Sequence, residues 1–257
     1  MMEYKYAEYA AQKAAELLAI DSPTGYTARA AEWVRAAFTE LGFAARMTKK
    51  GGVLIDLGGA GREDALLLEA HVDTLGAMIA EIKASGRLRI SNLGGLRAEN
   101  TEAENVRVYT RDGRVHEGTI QLCNASVHVN GSYGDVKRSF DTMEVLLDEP
   151  VSSAEDVRAL GLEVGDVVCP EPRTRITKSG YIKSRFLDDK LSVGILLGLG
   201  RFMADGGLVP KRRVYIHVTV YEEVGHGGAA SVPEGVTEAI SVDTVSYTHL
   251  RAHETVL

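Results

Sequence analysis

The chain has 257 residues, 45% hydrophobic and 25% charged, with a formal net charge of −7 at pH 7. That length and composition suit an ordinary soluble globular protein of one large or two small domains. Both charge signs are spread without a basic stripe, and no stretch approaches the roughly 18 apolar residues of a membrane span, so neither nucleic acid nor a bilayer is an expected partner.

Residues 3–20 alternate Tyr, Ala and Leu with polar side chains at helical spacing, which predicts an amphipathic helix. This segment has no basic head followed by an apolar run, so it does not read as a signal peptide. "DSPTGYT" (21–27) breaks the helix. Thr27 is placed to cap a second helix over 28–41, which stops at Gly42. Strand-like runs follow at 43–48, 53–57 and 65–71. "ALLLEAHVD" (65–73) reads as a buried strand that ends on polar residues.

Between about 76 and 176 helical periodicity nearly vanishes. The short runs "AMIAEI", "LRI", "VRVYT", "HEGTIQL" and "MEVLLD" are separated by Gly and Asp turns. They predict a small all-β insert with barrel character. "AEDVRALGLEVGDVV" (154–168) reads as a short helix, a Gly stop and a return strand. From 177 the α/β texture resumes. "GYIKSRFLDD" reads as a strand ending on acids. The run 189–204 is a helix apolar on most faces, and strands are expected at 213–221 and 238–243. The two cysteines, Cys123 and Cys169, show no CxxC spacing and form no disulfide framework. Both are expected to be buried small hydrophobes in a reducing, cytoplasmic setting.

Four predicted strands of the α/β part end on His or acid: His71-Val72-Asp73, Asp188-Asp189, Glu222-Glu223 and Asp243. In open α/β sheets the carboxyl ends of strands share one rim, where ligands bind. So much negative charge on one rim repels itself, at about 4 kcal/mol for a pair 4 Å apart in an effective dielectric of 20. Bound divalent cations relieve it. His with carboxylates and no Cys suits zinc, cobalt or manganese. In His-x-Asp the strand places both side chains on one face, so His71 can ligate while Asp73 orients its other ring nitrogen. One Asp of 188–189 can bridge two metals. One Glu of 222–223 can bind metal while its neighbour acts as base. Each piece alone has a bland reading: a turn, a helix cap, or a solvated strand end. The conjunction carries the metal-site reading. His116 and His128 of the insert read as surface or core residues, His217 as a strand residue, and His226 as turn chemistry, with lining of the pocket as its alternative.

The ordered motifs "SPTGYT", "EAHVDTLGAMI", "GLEVGDVV", "KSGYIKSRFLDDKLSVG", "YEEVGHGG" and "ISVDT" closely resemble the dinuclear metalloaminopeptidases of the glutamyl-aminopeptidase and tetrahedral-aminopeptidase group. Some members of that group are labelled endoglucanases. The resemblance runs from about residue 10 to 243. It implies an α/β, phosphorylase/hydrolase-like three-layer catalytic domain over 1–75 and 177–243, interrupted over 76–176 by a β-barrel dimerisation domain. It also implies two divalent metal ions per subunit, zinc or cobalt, and a homo-oligomer in which dimers build a dodecamer. Carried over by position, His71 and Asp243 would ligate one metal, Asp188 would bridge, Glu223 would hold the second, and Asp73 would support His71. The Asp188–Asp189 bond would be cis. Glu222 would be the general base in cleavage of an N-terminal residue from a peptide.

The group's fifth protein ligand, a late His, has no counterpart before the chain ends, and residues 244–257 depart from the pattern like an artefactual tail. His249 and His253, four residues apart, could share a helix face. Near-stoichiometric metal is therefore expected at one site and weak occupancy at the other, with apolar surface left uncovered. Two other readings stand beside the aminopeptidase: a related two-metal carboxypeptidase or N-acyl deacylase, and an inactive fragment or assembly subunit. A cellulase has little support, because glycosidases need two carboxylates about a sugar and neither His nor metal.

Overall fold

A computed structural model describes residues 2–61 and 63–244. In chain order the elements are α1 (Met2–Leu18), α2 (Ala28–Glu40), β1 (Ala44–Met47), β2 (Val53–Asp56), β3 (Ala65–His71), β4 (Gly76–Ile82), β5 (Leu88–Leu93), β6 (Asn105–Tyr109), β7 (Val115–Leu122), β8 (Met143–Leu147), α3 (Ala154–Ala159), β9 (Val167–Pro170), β10 (Arg175–Ile176), β11 (Ile182–Lys183), α4 (Leu187–Gly206), β12 (Val214–Thr219) and β13 (Val236–Ser241). His249, His253 and the rest of the atypical tail from Val245 lie outside the described residues.

The main sheet has the order β1-β2-β12-β3-β13. Two of its four pairings are parallel, β3 running between β12 and the edge strand β13, while β1–β2 and β2–β12 are antiparallel. Alternate residues of the strands, such as Val53, Ile55, Ile216 and Val218, are fully buried against α1, α2 and α4 in one core. Among the described residues, helices cover that face alone. Two of the three expected layers are therefore present: helices and sheet.

The second core lies inside a closed six-stranded barrel of order β4-β5-β8-β7-β6-β9. Period-2 alternation fills it: Ile79, Ile90, Val108, Ile120 and Val145 point inward and are essentially inaccessible to solvent. Closure leaves no unpaired edge. Helix α3 starts in a capping box, with Ser153 accepting from the Asp156 amide and Asp156 accepting from the Ser153 amide. A buried polar cluster joins the barrel to the sheet. Arg107 on β6 forms a bidentate pair with Asp21 (2.6 and 2.7 Å), and Tyr109 Oη donates to the same carboxylate at 2.6 Å.

Three expectations are corrected. "GYIKSRFLDD" does not enter the main sheet: only Ile182–Lys183 is extended, paired with β10 in a separate hairpin. Asp188 and Asp189 instead open α4, with non-helical backbone angles that place the regular helix after them. Thr27 precedes α2 but makes no side-chain cap. Cys123 is exposed, while Cys169 is buried as expected.

Helices α1 and α4 cross at glycine. A Cβ on Gly194 would stand 2.7 Å from both the Ala10 carbonyl oxygen and the Ala14 Cβ, and the next turn repeats the contact at Gly198. Gly194→Ala should gain about 1 kcal/mol in helix propensity but lose about 1–3 kcal/mol to overpacking against rigid backbone. The expected outcome is net destabilisation, seen as a lower urea midpoint with an unchanged m-value. A variant of raised midpoint would refute the close crossing.

Candidate metal centre

The site forms where β3 and β12 end. His71 pairs with Thr219 across the parallel ladder, and Val72 donates its amide to the Thr219 carbonyl. The chain then turns at Asp73, whose carboxylate is completely buried. Four groups converge on it. Thr24 Oγ1 donates at 2.7 Å, the amides of Glu222 and Glu223 donate at 3.2 and 3.3 Å, and His71 Nδ1 stands 3.4 Å away. The nearest oxygen to Nδ1 is the Asp73 main-chain carbonyl, at 3.0 Å. Asp73 thus orients the ring mainly through its backbone, while its side chain fixes the Glu-Glu turn. That turn is one 3-10 coil, Glu222–Val224, closed by left-handed Gly225 rather than by a strand end.

On its other side the imidazole meets acids. His71 Nε2 lies 2.9 Å from Asp188 Oδ1 and 3.5 Å from Glu222 Oε2. The Asp188–Asp189 peptide is cis. Asp189 turns inward: its Oδ2 accepts the His71 amide at 3.1 Å, and its buried Oδ1 has no partner. His71, Asp189 and Asp243 each offer one ligand atom, all within 4.8 Å of one another. The sequence points to Asp188 as the ligand of this pair; the tight group contains its neighbour Asp189, with Asp188 facing Nε2. All six acids of the four motifs surround one histidine, and the ion pairs of Asp73, Asp188 and Glu222 go to that imidazole.

Their titration follows from this crowding. Burial opposes charge on His71, but hydrogen bonds to Asp188 and Asp73 outweigh it and push the ring up to about 11. The His71 bond holds Asp188 below the usual carboxylate range. Burial raises Asp189 and Glu223, each to about 7, and also raises Glu222. Neighbouring acids add to the rise of the two glutamates. Both ring nitrogens face oxygen acceptors, and only an imidazolium has two N–H groups to give them. A divalent cation fits this donor set: imidazole plus carboxylates, an orphaned buried oxygen, and excess negative charge.

A family profile described as M42 glutamyl aminopeptidase matches residues 51–255. The chain belongs to the M42 glutamyl aminopeptidase family. It is 40% identical over 228 residues to YhfE of Bacillus subtilis (strain 168), whose name gives it a provisional aminopeptidase assignment. It is 25% identical over 219 residues to a glutamyl aminopeptidase of Lactococcus lactis. The matches cover 89% and 84% of this chain but 66% and 61% of those relatives. Among solved structures, an aminopeptidase from the archaeon Desulfurococcus kamchatkensis superposes with a TM-score of 0.76 at 23% identity, covering 95% of this chain and 64% of that one. The TET1 peptidase of Pyrococcus horikoshii gives a TM-score of 0.74 at 22% identity, over 91% and 68% of the two chains. These likenesses show a shared mixed α/β fold.

The other described histidines of this M42 chain stand apart from the cluster. His217 is buried and bonds Glu69 at 3.0 Å, His116 bonds Glu149 at 2.8 Å, and His128 is exposed. His226 stacks on Tyr221 at 5.1 Å, next to Lys50 Nζ. Thr24 is the residue that motif reasoning passed over: "SPTG" reads as a helix breaker, and its hydroxyl contact is 49 positions away in sequence.

A ligating imidazole must give up the proton that His71 holds through neutrality, so metal uptake is expected to release about one proton or more per ion. Affinity should rise with pH across the neutral range, since His71 is raised and its proton competes. Calorimetric titration of zinc or cobalt in two buffers of different ionisation enthalpy reads the number. Uptake with no proton release would contradict a His71 ligand.

Proposed function

We propose that the protein is a metal-dependent aminopeptidase that removes N-terminal residues from peptides. One observation carries the reading: six acidic residues gather around one histidine, three of them paired with its ring, at the ends of the parallel strands β3 and β12, in a chain of the M42 family. A rim of that sign attracts the cationic free amine of a peptide. It repels the free carboxylate that a carboxypeptidase must hold at the same place.

His71, Asp188, Asp243 and Glu223 would hold two divalent ions, with Asp189 lending its orphaned oxygen or supporting the set. Such ions supply Lewis acidity and a water acidic enough to be deprotonated near pH 7. The chain's own residues do the rest. Glu222 is exposed to the rim, has its carboxyl raised, and lies 3.5 Å from His71. It takes the proton of the attacking water and returns it to the leaving amine. Asp73 pins the Glu222 and Glu223 amides so that one carboxylate stays free while its neighbour is held. We further assign residues 1–75 and 177–243 to the catalytic unit and 76–176 to a dimerisation unit. A homo-oligomer built through the barrel follows from that assignment. The P. horikoshii TET1 peptidase is described as assembling into a tetrahedron or a large octahedral shell.

Glu222→Gln keeps shape and removes the base. It should lower kcat about 10²- to 10⁴-fold on free-amine peptides, with metal content by elemental analysis unchanged. Full activity in that variant would remove Glu222 from the mechanism. N-acetylated peptides should be inert towards the parent protein, and their cleavage at either end would favour the deacylase or carboxypeptidase reading instead.

A further inference from the structure

Beside the metal centre lies a cavity of opposite charge. A solvent-open pocket of about 380 Å³ is lined by Pro172, Arg173, Arg175, Lys183, Ser184 and Arg185. Four of these six residues are cationic, in a chain whose net charge is −7. Glu104 is the counter-charge: its Oε1 lies 3.0 Å from Arg173 and 3.1 Å from Arg185. Arg175 and Lys183 have no ion-pair partner among the described residues. They stand directly opposite each other in the β10–β11 ladder. Like charges in that relation destabilise a hairpin, and this ladder is only two residues long, so nothing nearby compensates. The Nε of Arg185 is buried without an acceptor. Arg173 and Phe186, at the two ends of the cavity-forming segment, are non-glycine residues at φ 53° and 62°. Such backbone persists where the surroundings over-determine it, and it concentrates at ligand sites.

The place is as telling as the charge. Arg185 precedes Asp188 by three residues, which bounds their Cα separation at about 11 Å. An extended tripeptide has about that reach. Arg185 also donates to the Asn100 carbonyl at 2.5 Å, so the cavity sits where the segment entering the metal centre meets the barrel.

We propose that this cavity is an anion subsite that binds a carboxylate of the peptide, two or three residues beyond the one removed. The substrate class is short peptides with a free C-terminus or an acidic residue in that position; naming it so rests on the aminopeptidase reading above. Arg175 and Lys183 supply the unpaired charge, and Arg173 and Arg185 are held in place by Glu104. The metal rim takes the cationic end of the peptide and this cavity takes the anionic end.

The test measures binding, not turnover. Three N-acetylated probes are titrated calorimetrically against the full chain: acetyl-trialanine as the free acid, the same peptide as its C-terminal amide, and acetyl-Ala-Glu-Ala amide. Blocking the amine prevents cleavage by an aminopeptidase. The free acid should bind about tenfold more tightly than its amide, the scale of a charge-assisted hydrogen bond, and the margin should shrink with added salt. Tight binding of the third probe identifies an acidic side chain as a source too. In Arg175→Gln/Lys183→Gln the margin should vanish, with a melting temperature no lower than the parent's as the control for folding. Equal binding of acid and amide by the parent protein overturns the proposal, as does a margin that survives the double substitution. With free-amine peptides, the KM ratio between amide and acid forms should collapse in the variant. If free-amine peptides are not cleaved but the acid margin is present, the aminopeptidase reading falls while the anion subsite stands.

Discussion

Everything at the site depends on one buried carboxylate. Asp73 has no exposed surface, yet hydrogen bonds from His71 and Thr24 hold its pKa below the ordinary range against the cost of burial. An ionised group in that position survives only when its oxygens are saturated. Saturation draws in three segments far apart in sequence: Thr24 before α2, the end of β3, and the amides of Glu222 and Glu223 after β12. Glu222 and Glu223 are therefore positioned by their own backbone. Their side chains are left free for chemistry.

The constraint also explains why His71 is so basic. A ring clamped by the Asp73 carbonyl on one side and Asp188 on the other has acceptors for two protons. Without a cation the proton takes the place that a metal would occupy. Proton and metal compete for the same lone pair, and the acids that attract one attract the other. The two glutamates, raised by burial and by each other's neighbours, soften the charge on the rim in the same way.

Much of this was legible before any coordinates. β3 is read correctly because a long apolar run has one interpretation, and its bounds coincide with 65–71. The barrel strands are legible because turn residues punctuate them at short intervals. Asp188 and Asp189 are misread as a strand end because "YIKSRF" mixes charge with apolar residues; tertiary contacts, not periodicity, decide its two-residue ladder. Cys123 is misread because cysteine composition does not report the exposed loop into which β7 runs. The inward turn of Asp189 and the part played by Thr24 were beyond reach for a common reason. Their partners are the His71 amide and the Asp73 carboxylate, 118 and 49 positions away, and local patterns hold no such information.

The same logic links the barrel to the site. Asp21 is buried and its carboxylate is taken by Arg107 and Tyr109 of β6. Three residues later Thr24 donates to Asp73. Between them Ser22 donates to the Val72 carbonyl, and the Thr74 amide donates to Ser22. The loop 21–24 is thus pinned at one end by the barrel and at the other by the metal centre. A rotation of the barrel would have to break a buried ion pair, at about 3–5 kcal/mol, or drag Thr24 away from Asp73. Either course has a cost, and the second would also unseat the glutamate turn. The loop that touches the barrel is therefore the same one that supports the metal-site candidate. A change at the barrel surface has, in Asp21, Ser22 and Thr24, a continuous hydrogen-bonded route to Asp73.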